Sequence, residues 1–212
     1  MKTKSSAVLQ QAPTPYFSLA GRTPVQAVVI GASAGGVQAL LAILLDLPAS
    51  FKLPIVVVIH LPADRESQLS ELFASRLRLP VNEAQDKETI AAGTVYFAGP
   101  GYHLSIESDR TFSLSGEPPL HYSRPSIDML MESAADAYGP GLAGILLTGA
   151  NSDGACGMAA IRRQNGLTVV QDPAEAEAPA MPNAAIRNMQ PDFILRLDHI
   201  HSLLLQLDGK PP

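Results

Sequence analysis

Only one cysteine, Cys156, stands among the 212 residues, so no disulfide can close within the chain. A lone thiol fits a reducing compartment. Long apolar runs are missing as well. None approaches the ~20 residues that a membrane-spanning helix needs, so no direct membrane insertion is expected. Residues 1–17 hold two lysines but no continuous apolar segment, which argues against a secretory signal. These absences point to a cytoplasmic protein. Lysine and arginine number 15 against 20 acidic residues, for a formal net charge of -5, and they form no run. Without a basic patch to grip phosphates, nucleic acid is not an expected partner. No histidine or cysteine pair has a metal-ligand spacing such as H-E-x-x-H or C-x-x-C, so no metal and no cofactor are expected. No internal repeat is found.

What the chain does have is a globular composition, 46% hydrophobic and 17% charged. Residues 1–24 are rich in Ser, Gln, Pro and Thr without periodicity and read as a flexible N-terminal tail. One domain is expected over 25–208, with the last residues frayed. Within it, strand and helix signals alternate. Val25–Ile30 and Ile55–Ile59 are short apolar strands, and Gly36–Asp46 and Ser67–Arg78 carry apolar residues at helical spacing. Ser126–Tyr138 reads as a helix with Ser126 at its N-cap. Leu142–Leu147, Leu167–Gln171 and Phe193–Leu197 read as strands, Gly154–Gln164 and His199–Leu207 as helices. This pattern predicts an α/β fold: a doubly wound, mostly parallel sheet with helices on both faces. Between residues 94 and 115, three short pieces separated by turns predict a small antiparallel β insertion.

Residues 31–35, Gly-Ala-Ser-Ala-Gly, match G-x-S-x-G between the first strand and the first helix. A serine on a sharp strand-to-helix turn needs small neighbours, and its hydroxyl is held at the sheet edge near the positive end of a helix. The motif alone fits an inert glycine-rich turn equally well. His60 ends the second strand, and Asp153 follows a third buried strand. In an open parallel sheet the loops after the strands share one edge, where active sites are built. A serine hydroxyl needs an imidazole to take its proton, and the imidazole needs a carboxylate to fix its tautomer. Ser33, His60 and Asp153 are therefore candidates for nucleophile, base and orienting acid. Taken singly, a histidine at a strand end is a structural residue, and an aspartate before glycine is a turn or cap residue. Cys156, at a helix start, reads as a small packing residue.

Ile30-Gly31-Ala32-Ser33-Ala34-Gly35-Gly36, Ile59-His60-Leu61-Pro62, Tyr96-Phe97-Ala98-Gly99-Pro100, His121-Tyr122-Ser123-Arg124-Pro125-Ser126-Ile127-Asp128, Leu146-Leu147-Thr148-Gly149, Ser152-Asp153-Gly154, Gly157-Met158 and Met181-Pro182 follow one another in that order. The ordered blocks resemble the catalytic domain of the CheB-type protein-glutamate methylesterases, from about Val25 to the last helix. The resemblance implies hydrolysis of γ-glutamyl methyl esters on the cytoplasmic helices of chemoreceptors, with deamidation of some glutamines. It implies a triad of Ser33, His60 and Asp153, and an oxyanion hole from the backbone N–H groups of Ala34 and Ala150. It also implies Arg124 as a substrate-binding residue. The chain departs from the family pattern in places. Ala34 stands where Thr is usual, and Ala174–Ala178 replaces a more polar stretch. The usual loop T-G-M-G-x-D-G is here Thr148-Gly149-Ala150-Asn151-Ser152-Asp153-Gly154. The resemblance also implies a preceding receiver domain. About two dozen residues come before the first strand, so control is expected from a separate regulatory protein, from expression or from the receptor.

Other readings compete. An α/β-hydrolase acting on small esters shares G-x-S-x-G but expects the order Ser, acid, His. A dinucleotide-binding domain needs glycine where Ser33 stands and an acid where His60 stands. A catalytically weak receptor-binding signalling module would keep the fold and lose the rate.

Overall fold

In a computed structural model of the chain, residues 16–60, 68–120 and 122–209 are described. Nine strands and six helices follow in order: β1 (Ala27–Ala32), α1 (Gly36–Leu44), β2 (Ile55–Ile59), α2 (Leu69–Ala74), β3 (Val81–Glu83), β4 (Val95–Phe97), β5 (His103–Ile106), β6 (Phe112–Ser115), α3 (Ile127–Tyr138), β7 (Leu142–Leu146), α4 (Ala155–Arg163), β8 (Leu167–Gln171), α5 (Ala180–Asn188), β9 (Phe193–Leu195) and α6 (Leu197–Leu207). Seven strands form one parallel sheet in the order β3-β4-β2-β1-β7-β8-β9, and β5 pairs with β6 in a separate antiparallel hairpin.

Every residue of β1, β2, β7 and β8 is buried. Successive side chains of a strand point to opposite faces, so a strand with both faces covered is largely apolar, Thr168 and Gln171 of β8 being the buried polar exceptions. In β1, Val28 and Ile30 pack with Leu40, Leu44, Phe73 and Leu203, on the face covered by α1, α2 and α6. Ala27 and Val29 pack with Leu130, Met131, Met158 and Ala185, on the face of α3, α4 and α5. Burial of each of the larger of these side chains, Val, Leu, Ile, Phe or Met, contributes roughly 1.5–3 kcal/mol, which holds the sheet rigid under its loops.

The expected fold class stands, with several boundaries moved. Residues 94–98, grouped by sequence with the antiparallel insertion, instead contain β4, which pairs in parallel with β2 and β3. Only 103–115 makes the antiparallel hairpin. A three-residue piece looks the same in either setting until its neighbours are known. The helix expected over Ser67–Arg78 is shortened to α2, and Leu72 lies exposed while Leu69 and Phe73 are buried. Strand β3 and helix α5 had no distinct sequence signal. Residues 16–24 of the expected tail lie on the domain. Phe17 is buried, its ring meets Phe193 edge-on at 5.4 Å, and its backbone exchanges hydrogen bonds with the Gln206 side chain. Cys156 is exposed and does not pack in the core. Residues 1–15, Leu61, Pro62 and His121 lie outside the described residues.

Candidate active site

The sheet order changes direction at β1: the chain first builds outward through β2, then returns to place β7 on the other side of β1. The crevice beyond the strand ends at such a point is where ligands bind in open parallel sheets. β1 and β2 run in register with Ala32 opposite Ile59, and the ladder ends where His60 N–H donates to Ala32 O at 3.0 Å. Ser33 is the first residue after β1, so Ser33 and His60 leave neighbouring strands at the same level. Ser33 N–H donates to Thr148 O at 2.9 Å, tying the serine turn to the end of β7. The chain then turns at Gly35, whose φ of 75° suits glycine, and Gly36 N–H closes the turn on Ser33 O. Helix α1 begins there, so Ser33 stands before a helix N-terminus on a tight turn.

Asp153 follows β7 and is fully buried. Its Oδ2 accepts from His60 Nε2 at 2.9 Å and from Ile127 N–H at 2.8 Å. Its Oδ1 accepts from the Ser126 hydroxyl at 3.0 Å, and from the N–H groups of Asp128 and Gly154, both at 2.9 Å. Burial pushes this carboxyl up. The hydrogen bonds from His60, Asp128 N–H and Ile127 N–H, with the charge of His60, outweigh burial and hold it below the ordinary carboxylate range. An ionised carboxylate only accepts, so His60 Nε2 donates in this contact, and Nδ1 is the ring nitrogen that faces away from Asp153. Gly154 lets the chain leave Asp153 at a φ of 90°. A Cβ there would fall 2.6 Å from Leu146 Cδ1 and 2.8 Å from Ile127 Cγ2.

The remaining predicted residues lie on segments that adjoin Ser33, Asn151 and Ser126 in the chain. Ala34 and Ala150 are exposed, and among the described residues their N–H groups meet no protein acceptor. Ala34 O accepts from the Thr148 hydroxyl at 2.8 Å, and that hydroxyl in turn accepts from Ala178 N–H. Arg124 is exposed; its Nη1 donates to Gly116 O and Glu117 O at 3.1 and 3.0 Å. Its Nη2 and Nε make no hydrogen bond to the described residues. Among the described residues no cluster of His, Cys, Asp and Glu is arranged to hold a metal.

Sequence reasoning missed four participants. The Ser126 hydroxyl does not cap its own helix; it serves Asp153, which caps α3 through space. His103, fully buried, accepts Ser126 N–H on Nδ1 and meets Pro118 O with Nε2, both at 3.1 Å. Thr148 laces the serine turn to the segment before α5. Asn151 reaches His60 Nδ1 with its side-chain amide at 3.4 Å. Asn151, two residues before Asp153, carried a local signal as an Asx-type turn residue, and Ser126 one as an N-cap, but neither signal pointed to the site. The thiol of Cys156 is pushed up by burial and by the charges of Asp128 and Glu132, which does not favour a reactive thiolate.

A model of the family described as CheB methylesterase matches residues 28–204. The chain belongs to the CheB methylesterase family. With the CheB family comes the enzyme class, carboxylic ester hydrolase. A Leptospira interrogans protein, provisionally named protein-glutamate methylesterase/protein-glutamine glutaminase, is 45% identical over 183 residues, covering 86% of this chain and 95% of its own length. The Trichodesmium erythraeum protein-glutamate methylesterase/protein-glutamine glutaminase is 34% identical over 188 residues, and this chain spans 53% of its length. The crystal structure of the Thermotoga maritima CheB methylesterase catalytic domain superposes with a TM-score of 0.82 at 30% identity, covering 87% of this CheB-family chain and 100% of the Thermotoga one.

Proposed function

We propose that the chain hydrolyses γ-glutamyl methyl esters on chemoreceptor helices, with deamidation of glutamines as the related second reaction. The observation that carries the mechanism is the 2.9 Å contact between His60 Nε2 and the buried Asp153 carboxylate, beside the strand end that bears Ser33. In this reading Ser33 Oγ attacks the ester carbonyl and its proton passes to His60 Nδ1. Asp153 stabilises the imidazolium that forms. The developing oxyanion takes hydrogen bonds from the N–H groups of Ala34, in the serine turn itself, and of Ala150, in the loop after β7, neither of which meets an acceptor among the described residues. Methanol leaves with the proton from His60, or ammonia leaves where the substrate is glutamine. A water deprotonated by His60 then cleaves the acyl-enzyme and restores Ser33. The open donors of Arg124 are read as a contact for acidic groups around the modified glutamate, in a protein that is itself net negative. The site lies at a strand-end edge, where an amphipathic receptor helix can approach it. The deciding experiment is methanol release from methylated receptor membranes, with wild type and Ser33→Ala compared. Release by wild type alone is expected, and equal release by both would refute the mechanism.

A further inference from the structure

We infer that Asn151 is a positioning residue for His60: its side-chain amide keeps the imidazole in the one tautomer that can act as a base toward Ser33. The inference rests on the triad reading above. Three contacts carry it. Asp153 N–H donates to Asn151 Oδ1 at 3.1 Å. Only the carbonyl oxygen of the carboxamide can accept that hydrogen, so the group cannot be turned over, and its Nδ2 is the atom facing His60 Nδ1 at 3.4 Å. On the opposite edge of the ring, Nε2 meets the ionised carboxylate of Asp153. A hydrogen on Nδ1 would set N–H against N–H. The ring is bracketed by an acceptor at Nε2 and a donor at Nδ1, and the neutral Nε2–H form satisfies both.

The opposite tautomer would have no lone pair left on Nδ1 to receive the serine proton. One lone pair cannot serve two donors, so the amide must yield when Ser33 Oγ–H turns to the ring. A contact of 3.4 Å is at the weak end for a hydrogen bond, enough to bias the ring without holding the lone pair against Ser33. The loop pattern that the chain resembles, T-G-M-G-x-D-G, has glycine at this place and no side chain to offer. Here the Asn151 side chain is used twice: the oxygen sets the turn into Asp153, and the nitrogen addresses the base.

The test uses the whole chain with 15N-labelled histidine, the His60 signals being assigned by their loss in His60→Ala. In resting wild type, Nδ1 should give the signal of a bare, pyridine-like nitrogen and Nε2 that of a hydrogen-bearing one. Asn151→Asp keeps an oxygen for Asp153 N–H and turns an acceptor toward Nδ1. It should put hydrogen on Nδ1 and lower kcat on a small activated ester by about tenfold or more, short of the ~10⁴ seen when the orienting carboxylate itself is lost, with KM nearly unmoved. Should that variant not fold, Asn151→Ala is read in the same way, with a smaller kcat loss, a steady KM and ring signals averaging between tautomers. Hydrogen on Nδ1 in resting wild type, or a folded variant with wild-type ring signals and wild-type kcat, overturns the inference. The ring signals need no turnover. A chain with the bracketed ring and no ester hydrolysis would sink the proposed function and leave this inference standing.

Discussion

Asp153 Oδ2 accepts the Ile127 N–H at 2.8 Å while the same oxygen holds His60 Nε2 at 2.9 Å. The carboxylate that orients the imidazole is thus also the N-terminal cap of α3. Cap and acid are usually weighed as alternatives for an aspartate near a helix. Here the two uses reinforce each other, because the cap fixes the carboxylate in place and the helix N-terminus favours its negative form.

The double use gives Asp153 substitutions two readouts. Asp153→Asn should keep the shape, present N–H to donors and favour the wrong imidazole tautomer, with a kcat loss of up to ~10⁴. Asp153→Ala leaves buried donors at the start of α3 without an acceptor and should lower stability by roughly 2–3 kcal/mol, read from the urea midpoint. A midpoint equal to wild type would mean that the cap is redundant.

Ser33→Ala and His60→Ala should each reduce ester hydrolysis to near background while the far-UV spectrum and the unfolding midpoint stay close to wild type. Both side chains leave strand ends and neither belongs to the two hydrophobic clusters. Substantial turnover by either folded variant is the result that excludes the proposed nucleophile and base.

Acid should unfold the protein through specific carboxylates. Asp153 is held low as described. Burial raises Asp192 but is outweighed by hydrogen bonds from the Thr168 N–H and hydroxyl and by the charges of Arg22 and Arg162, so its carboxyl also lies below the ordinary range. A carboxyl depressed in the folded state contributes stability that is fully present above the unfolded value, ~3.9, and is lost as pH falls through the folded value. Stability should therefore hold down to about pH 4 and fall below it. Asp192 lies at the start of β9, at the sheet edge opposite the site. Asp192→Asn should blunt the acid transition and leave neutral-pH hydrolysis intact, whereas Asp153→Asn should change both. An acid transition unaltered in both variants would count against this assignment.

Arg124→Ala should weaken action on methylated receptor more than on a small activated ester, because among the described residues its Nη2 and Nε have no partner while Nη1 anchors Gly116 and Glu117. The measurement is kcat/KM on both substrates. Equal losses would make Arg124 an anchor for the 116–117 segment and nothing more.

Much of the candidate site could be read from local chemistry. Ser33 on its turn was legible because Gly35 and the flanking alanines announce a crowded strand-to-helix corner. His60 and Asp153 were legible because a buried parallel strand is a continuous apolar run, whose end is visible in the sequence. The exact span of β2, Ile55–Ile59, follows for the same reason. Asn151, Ser126 and His103 were not legible as site residues. Their roles are contacts across 91, 27 and 23 residues of chain, and no local pattern encodes such a meeting.

The sequence by itself determined most of the strands and helices, though not β3 or α5, together with the α/β class and the residues waiting at the strand ends. These depend on side-chain periodicity and turn chemistry within a few neighbours. Only the tertiary structure decided that residues 95–97 join the main sheet, that Phe17 docks against Phe193, and that one carboxylate serves both α3 and His60. The physical reason is that strand pairing and buried hydrogen bonds are settled by competition among partners distant in the chain. A short strand, an aromatic ring or a carboxylate takes whichever partner the packed layers bring within reach.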